Sequence, residues 1–205
     1  MTAVDPSAIR DLIETGREFH RRGWVLATSG NFSVKLPGDG LRLLVTRKSV
    51  DKGLMSGRDF VVVNGAGEPE KGDACPSAET ALHLAIVKST GACAVLHTHS
   101  VFATILSERC AHAGGVEYEG YEMLKALSGI KTHESREWVP VLENSQDYPA
   151  LATEVETTLS RHPDSHGFLL RAHGLYAWGS SIAEARRHIE CLEFLAEVLV
   201  RKSPP

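Results

Sequence analysis

The chain has 205 residues, 42% hydrophobic and 23% charged, with a formal net charge of −4. That length and balance suit one sizeable soluble domain, and give no reason to expect nucleic acid or an anionic membrane surface as partner. No apolar run approaches the ~20 residues that cross a bilayer. Cys75, Cys93, Cys110 and Cys191 lack C-x-x-C spacing and follow no leader-like run, so a reducing cytoplasm is expected rather than a disulfide framework.

The opening helix is well marked. Asp5 can cap it and Pro6 suits its first turn, while Ile9, Leu12, Ile13, Gly16 and Phe19 share one face and Gly23 ends it. Phe32, Val34 and Leu36 alternate with polar neighbours, Pro37-Gly38-Asp39-Gly40 turns, and Leu41 to Thr46 returns. Arg58 to Asn64 reads as a further strand. The spacing predicts a helix from Ser77 to Ser89, with Ser77 as its cap and Glu79 in its first turn, then a strand over 92–97 and a helix capped by Ser100. A short helix around Tyr121 to Leu127 precedes Val139-Pro140-Val141-Leu142, read as an edge strand because of its proline. Asp147 to Leu159 is helical, and strands over 167–172 and 175–178 lead to a last helix with Ser181 and Glu184 as its capping box. Ile182, Ala185, Ile189, Leu192, Leu195, Ala196 and Leu199 give that helix a long apolar stripe. The pattern is one α/β domain over residues 1–205 with a mostly antiparallel or mixed sheet. Neither a G-x-G-x-x-G turn nor a P-loop is present.

The chemistry gathers at strand ends. His97 and His99 close the apolar run from Ala92, and residues two apart on a strand share a face. His173 follows the second apolar run, from Gly167. Three imidazoles so placed can hold a metal and leave a coordination position open, as in a catalytic zinc site; the plain alternative is three polar groups at strand termini. Thr28-Ser29-Gly30-Asn31, Thr46-Arg47-Lys48-Ser49 and Cys75-Pro76-Ser77-Ala78 are three polar elements able to offer N–H groups, hydroxyls and cations to one phosphate. Glu79 and Glu122 are carboxylates that could move protons near a metal, or could simply favour a helix dipole and a solvated helix face.

With these residues in view the chain resembles the class II aldolase family of zinc-dependent enzymes over nearly its whole length. Ser29-Gly30-Asn31-Phe32-Ser33, Pro76-Ser77-Ala78-Glu79, His97-Thr98-His99-Ser100 and His173-Gly174 carry the resemblance by their order and spacing. It implies a three-layer α/β/α fold, one zinc per subunit on His97, His99 and His173, and Glu122 as general acid/base with a raised pKa. Glu79 is implied as a second proton carrier, a pocket acid or an extra metal ligand. Ser29, Asn31, Thr46 and Ser77 would anchor the phosphate of a ketose substrate, with Thr46 set against Ser49, and Lys52 or Lys125 adding charge. Gly120-Tyr121-Glu122-Met123, Glu143-Asn144-Ser145-Gln146 and Arg171-Ala172-His173-Gly174 place the chain nearer to family members that dehydrate a phosphorylated ketose. Alternatives are a sugar-phosphate aldolase or epimerase, and a non-catalytic protein with a structural zinc. The family often carries two arginines before its third histidine; strand alternation turns Ala172 away from the metal. A homotetramer with active sites near subunit boundaries is also implied.

Overall fold

The computed structural model describes residues 4–72 and 74–202. Helix α1 (Pro6–Arg21) starts where Asp5 accepts the Ser7 N–H, and its buried stripe is Leu12, Thr15, Gly16 and Phe19. There follow β1 (Asn31–Lys35), β2 (Arg42–Thr46), β3 (Phe60–Asn64), α2 (Thr80–Thr90), β4 (Ala94–Thr98), α3 (Val101–Cys110), β5 (Gly115–Glu119), β6 (Arg136–Leu142), α4 (Tyr148–Arg161), β7 (Gly167–Leu170), β8 (Gly174–Gly179) and α5 (Ile182–Lys202). Among the described residues the strands form one eight-stranded sheet in the order β3-β2-β1-β4-β8-β7-β6-β5. Every neighbouring pair is antiparallel except β6–β7, so the sheet is mixed but mostly antiparallel.

Helices cover both faces. Leu12 and Phe19 of α1, Ala103 and Leu106 of α3 and the stripe of α5 form one core with Ala94 and Leu96 of β4. Leu82 to Val87 of α2 and Leu151, Val155 and Leu159 of α4 form the other with Val95. Successive β4 side chains thus enter opposite layers, as the pleat requires. His97 consequently falls on the α2/α4 side and Thr98 on the α5 side.

Three local expectations are corrected. Helix α2 begins at Thr80, three residues beyond the predicted cap, because Ser77 is spent on a turn in which its carbonyl accepts the Thr80 N–H. Glu79 therefore sits at the cap position, before the first turn. Strand β6 lies inside the sheet and β5 is the edge. Pro140 is tolerated because it pairs with Gly115 at the end of the β5 ladder, just before the β7 ladder opens at Val141. Strand β7 stops at Leu170, so Ala172 and His173 lie in the β7–β8 connection, with Ala172 at φ 54. Strand alternation does not apply to Ala172; its N–H donates to the Ser107 hydroxyl. The short helix expected around Tyr121 to Leu127 is present as a 3-10 helix, Glu122–Ala126.

Candidate metal centre

The central strand places the site. His97 in β4 pairs with Asn31 of β1 on one side and Tyr176 of β8 on the other, so these three side chains lie side by side on the α2/α4 face. Two glycines allow the backbones to close around it. A Cβ on Gly174 would sit 2.0 Å from the Thr98 carbonyl oxygen, and one on Gly30, at φ +70, 2.6 Å from that of His97.

The three imidazoles converge. Nε2 of His97 lies 2.8 Å from Nε2 of His99 and 3.3 Å from Nε2 of His173, and the latter two are 3.1 Å apart. Nitrogens bound tetrahedrally to zinc at 2.0–2.1 Å would stand about 3.3 Å from each other. The outward nitrogens fix the tautomers: Nδ1 of His97 donates to the Leu175 carbonyl at 2.9 Å, and Nδ1 of His173 to Oδ1 of Asn144 at 3.1 Å. Both Nε2 atoms thus present lone pairs inward. Burial also keeps the rings neutral. It pushes His97 well below the usual histidine range, helped by His99 and His173; it brings His99 to about 3 and lowers His173. The lone pairs of His97 and His173 face each other with no proton between them and repel, and a cation in their midst would relieve that. Glu79 closes the remaining side, with Oε1 3.2 Å from Nε2 of His173 and Oε2 3.6 Å from Nε2 of His97. The donor atoms of all four residues lie within 4.8 Å of one another. The residues fit a borderline-soft divalent ion such as zinc.

Beside the centre is a cavity of about 200 Å³ lined by Ser29, Asn31, Ser49, Lys52, Ser77 and His99. Two of the anchoring candidates are already engaged within the chain. Thr46 is fully buried and its hydroxyl accepts the Phe32 N–H, so Ser49 faces the cavity in its place. The Asn31 amide is engaged on both atoms, with His83 and with Glu79. Lys52 supplies the buried charge: its Nζ donates to the carbonyls of Thr28 and Val50, and burial brings its pKa down to about 8. Lys125 instead pairs with Glu122 at 2.6 Å. Glu122 is not drawn into the cluster. Its side chain is 70% exposed and also lies 3.5 Å from His133. Its pKa is lowered, chiefly by Lys125, the reverse of the raised value expected for a buried acid.

Several residues around the centre escaped the sequence reading. Tyr176 stacks on His97 with ring centroids 3.8 Å apart, and its buried hydroxyl lies by Glu79 outside hydrogen-bonding geometry. Glu193 of α5 accepts hydrogen bonds from the hydroxyls of Thr98 and Ser100, the residues that alternate with the two histidines. Tyr148, at the start of α4, overhangs the cavity. The signal for Asn144 was its motif; for Glu193 it was a charge within an apolar helix stripe.

A mixed sheet between two helical layers, with three histidines and a glutamate brought together beside a polar cavity, defines a class of α/β protein whose site could hold a metal ion. The chain belongs to the class II aldolase and adducin family: the Class II Aldolase and Adducin N-terminal domain matches residues 10–200. It is 48% identical over 193 residues to a methylthioribulose-1-phosphate dehydratase of Sorangium cellulosum, covering 93% of this chain and 90% of that one. A protein of the same name from Marinobacter nauticus is 44% identical, with 93% and 91% covered. Among solved structures, YgbL from Klebsiella pneumoniae superposes with a TM-score of 0.80 at 26% identity, over 98% of this chain and 91% of that one. The L-fuculose-1-phosphate aldolase of Thermus thermophilus gives 0.75 at 26%, over 95% and 94%.

Proposed function

We propose that this chain dehydrates 5-methylthioribulose 1-phosphate to 2,3-diketo-5-methylthiopentyl 1-phosphate, a step of methionine salvage, with one zinc per subunit. The observation that carries the reading is the convergence of three neutral imidazoles and Glu79 beside a cationic pocket. It occurs in a chain 44–48% identical, over nine-tenths of its length, to relatives named for that reaction.

Zinc held by His97, His99 and His173 would supply Lewis acidity to the substrate carbonyl. Ser29, Ser49 and Ser77 offer hydroxyls to the phosphate, and Lys52 offers charge. Dehydration takes a proton from C3 and hydroxide from C4. The enol that remains tautomerises to the 2,3-diketone, so one water leaves and no redox change occurs. Glu79 is the carboxylate nearest the centre and accepts the C3 proton. Glu122 protonates the departing C4 hydroxyl. Because it is exposed on its own protomer, it would act at a boundary between copies, in a cytoplasmic homotetramer. Dehydration of that boundary would raise its pKa into the range an acid needs.

The test follows product mass from the zinc-loaded protein and methylthioribulose 1-phosphate, with Glu122→Gln and His97→Ala alongside. A product lighter by one water from the wild type and from neither variant supports the reading. Two smaller carbon fragments would mean retro-aldol cleavage, which the likeness to a fuculose-phosphate aldolase keeps as the second reading.

A further inference from the structure

A chain of buried polar groups runs behind Glu79, and its inner members, Ser33 and His83, belong neither to the cluster of metal donors nor to the lining of the phosphate pocket. His83 is completely buried in α2, one helical turn after Glu79, and its N–H donates to the Glu79 carbonyl. The i, i+4 spacing puts both side chains over the same patch of sheet. Asn31 and Ser33, two apart on β1, meet them from that sheet, and both are buried. The hydrogen-bond pattern runs in one direction. The Ser33 hydroxyl lies 2.7 Å from Nδ1 of His83, and Nε2 of His83 meets Oδ1 of Asn31. An amide oxygen can only accept, so His83 carries its proton on Nε2 and Nδ1 accepts from Ser33. The Asn31 amide group is then left to donate to Oε2 of Glu79.

We infer that His83 is a positioning residue: it locks the Asn31 amide so that its N–H₂ group, never its oxygen, faces Glu79, and thereby aims a carboxylate at the three histidines. A flipped Asn31 would set oxygen against oxygen at Glu79 and nitrogen against the Nε2–H of His83, leaving two buried clashes in place of two hydrogen bonds. Tyr176 walls the far side, edge-on to His83 at 5.9 Å and stacked on His97. The chemistry needs an oriented carboxylate there, and a metal-facing group is tuned by the partner behind it. This inference rests on the reading of the cluster as a metal centre; it is independent of the substrate.

The test uses Co²⁺ as a spectroscopic probe and chelator competition for zinc affinity, on the full chain. His83→Leu removes the lock and His83→Gln keeps a donor near the Nε2 position. The expected result is about a 10- to 100-fold loss of zinc affinity and displaced cobalt absorption bands in His83→Leu, with His83→Gln restored toward wild type. In a Glu79→Gln background, His83→Leu should add nothing further, because its effect passes through Glu79. Should His83→Leu fail to fold, Ser33→Ala, which removes the partner of His83 Nδ1 and loosens the ring, is expected to give the same changes at smaller size. Wild-type affinity and bands in a folded His83→Leu, or losses that add fully to those of Glu79→Gln, would overturn the inference. A wild-type protein that binds no Co²⁺ would overturn the metal-centre reading and this inference with it, whereas a protein that binds metal but does not dehydrate the substrate would leave this inference standing.

Discussion

At the scale of single residues, the site rests on groups of opposite electrical habit. The histidines are kept neutral by burial, while Glu193, on the other face of β4, is pushed up to about 7 by the same cause. The sign of its effect follows from linkage. Its folded pKa lies above the ordinary value of 4.5, so the folded chain binds its proton more tightly than the unfolded chain. The associated stability is complete below about pH 4.5 and is lost as pH rises through about 7. Glu193→Gln, which cannot titrate, should remove this loss. Subtracting denaturant-melt stabilities of the variant from those of the wild type should give a difference that falls between pH 4.5 and 7; a flat difference would refute the burial account. The histidines themselves are tested more directly. His173→Ala should weaken zinc binding, as seen by chelator competition, because it removes one of the four converging donors.

At the scale of elements, legibility followed periodicity. Helices α1, α4 and α5 and the hydrophobic strands were readable because their apolar spacing is long and regular. The pair His97/His99 and the later His173 were readable as a site because chemistry-bearing residues terminate apolar runs. Strand β5 was not: Gly115–Glu119 has three buried residues and two exposed ones, with two glutamates in the segment, and its role at the edge depends on its partner. The start of α2 was misread because a hydroxyl followed by helix formers looks like a cap, whereas the Ser77 turn is set by tertiary contacts, its N–H bonding to the Thr46 carbonyl. The lock on Glu79 was out of reach, since Ser33 and His83 are 50 residues apart. The β4–β8 closure gives a prediction at this scale. Gly174→Ala would drive a methyl group into the Thr98 carbonyl, where only backbone can yield. It should cost ~3 kcal/mol or more by urea unfolding, against about 1 kcal/mol for an ordinary substitution.

At the scale of the whole molecule, the exposed positions matter. Leu26, Leu54, Val101 and Phe194 are large apolar side chains left open on the single chain, and Glu122 stands exposed on its 3-10 turn. A homotetramer that buried such groups would unite them with the proposed role of Glu122. Light scattering should then report four chains, and dilution into dissociation should remove activity while zinc stays bound. Monomers with full activity would refute that arrangement.

The row Asn31–His97–Tyr176 ties the metal centre to strand pairing. A slip of β4 by one residue would send His97 to the α5 layer and bring Thr98 into the row instead. The four donors exist together in one register only, so an ion bound there would double as a proofreading signal for the fold. Mispaired chains could not hold zinc, and zinc at a hundred times its Kd would favour the correctly paired chain by about 2.7 kcal/mol. Loss of such an ion would therefore cost the correctly paired chain that stabilisation together with its Lewis acid.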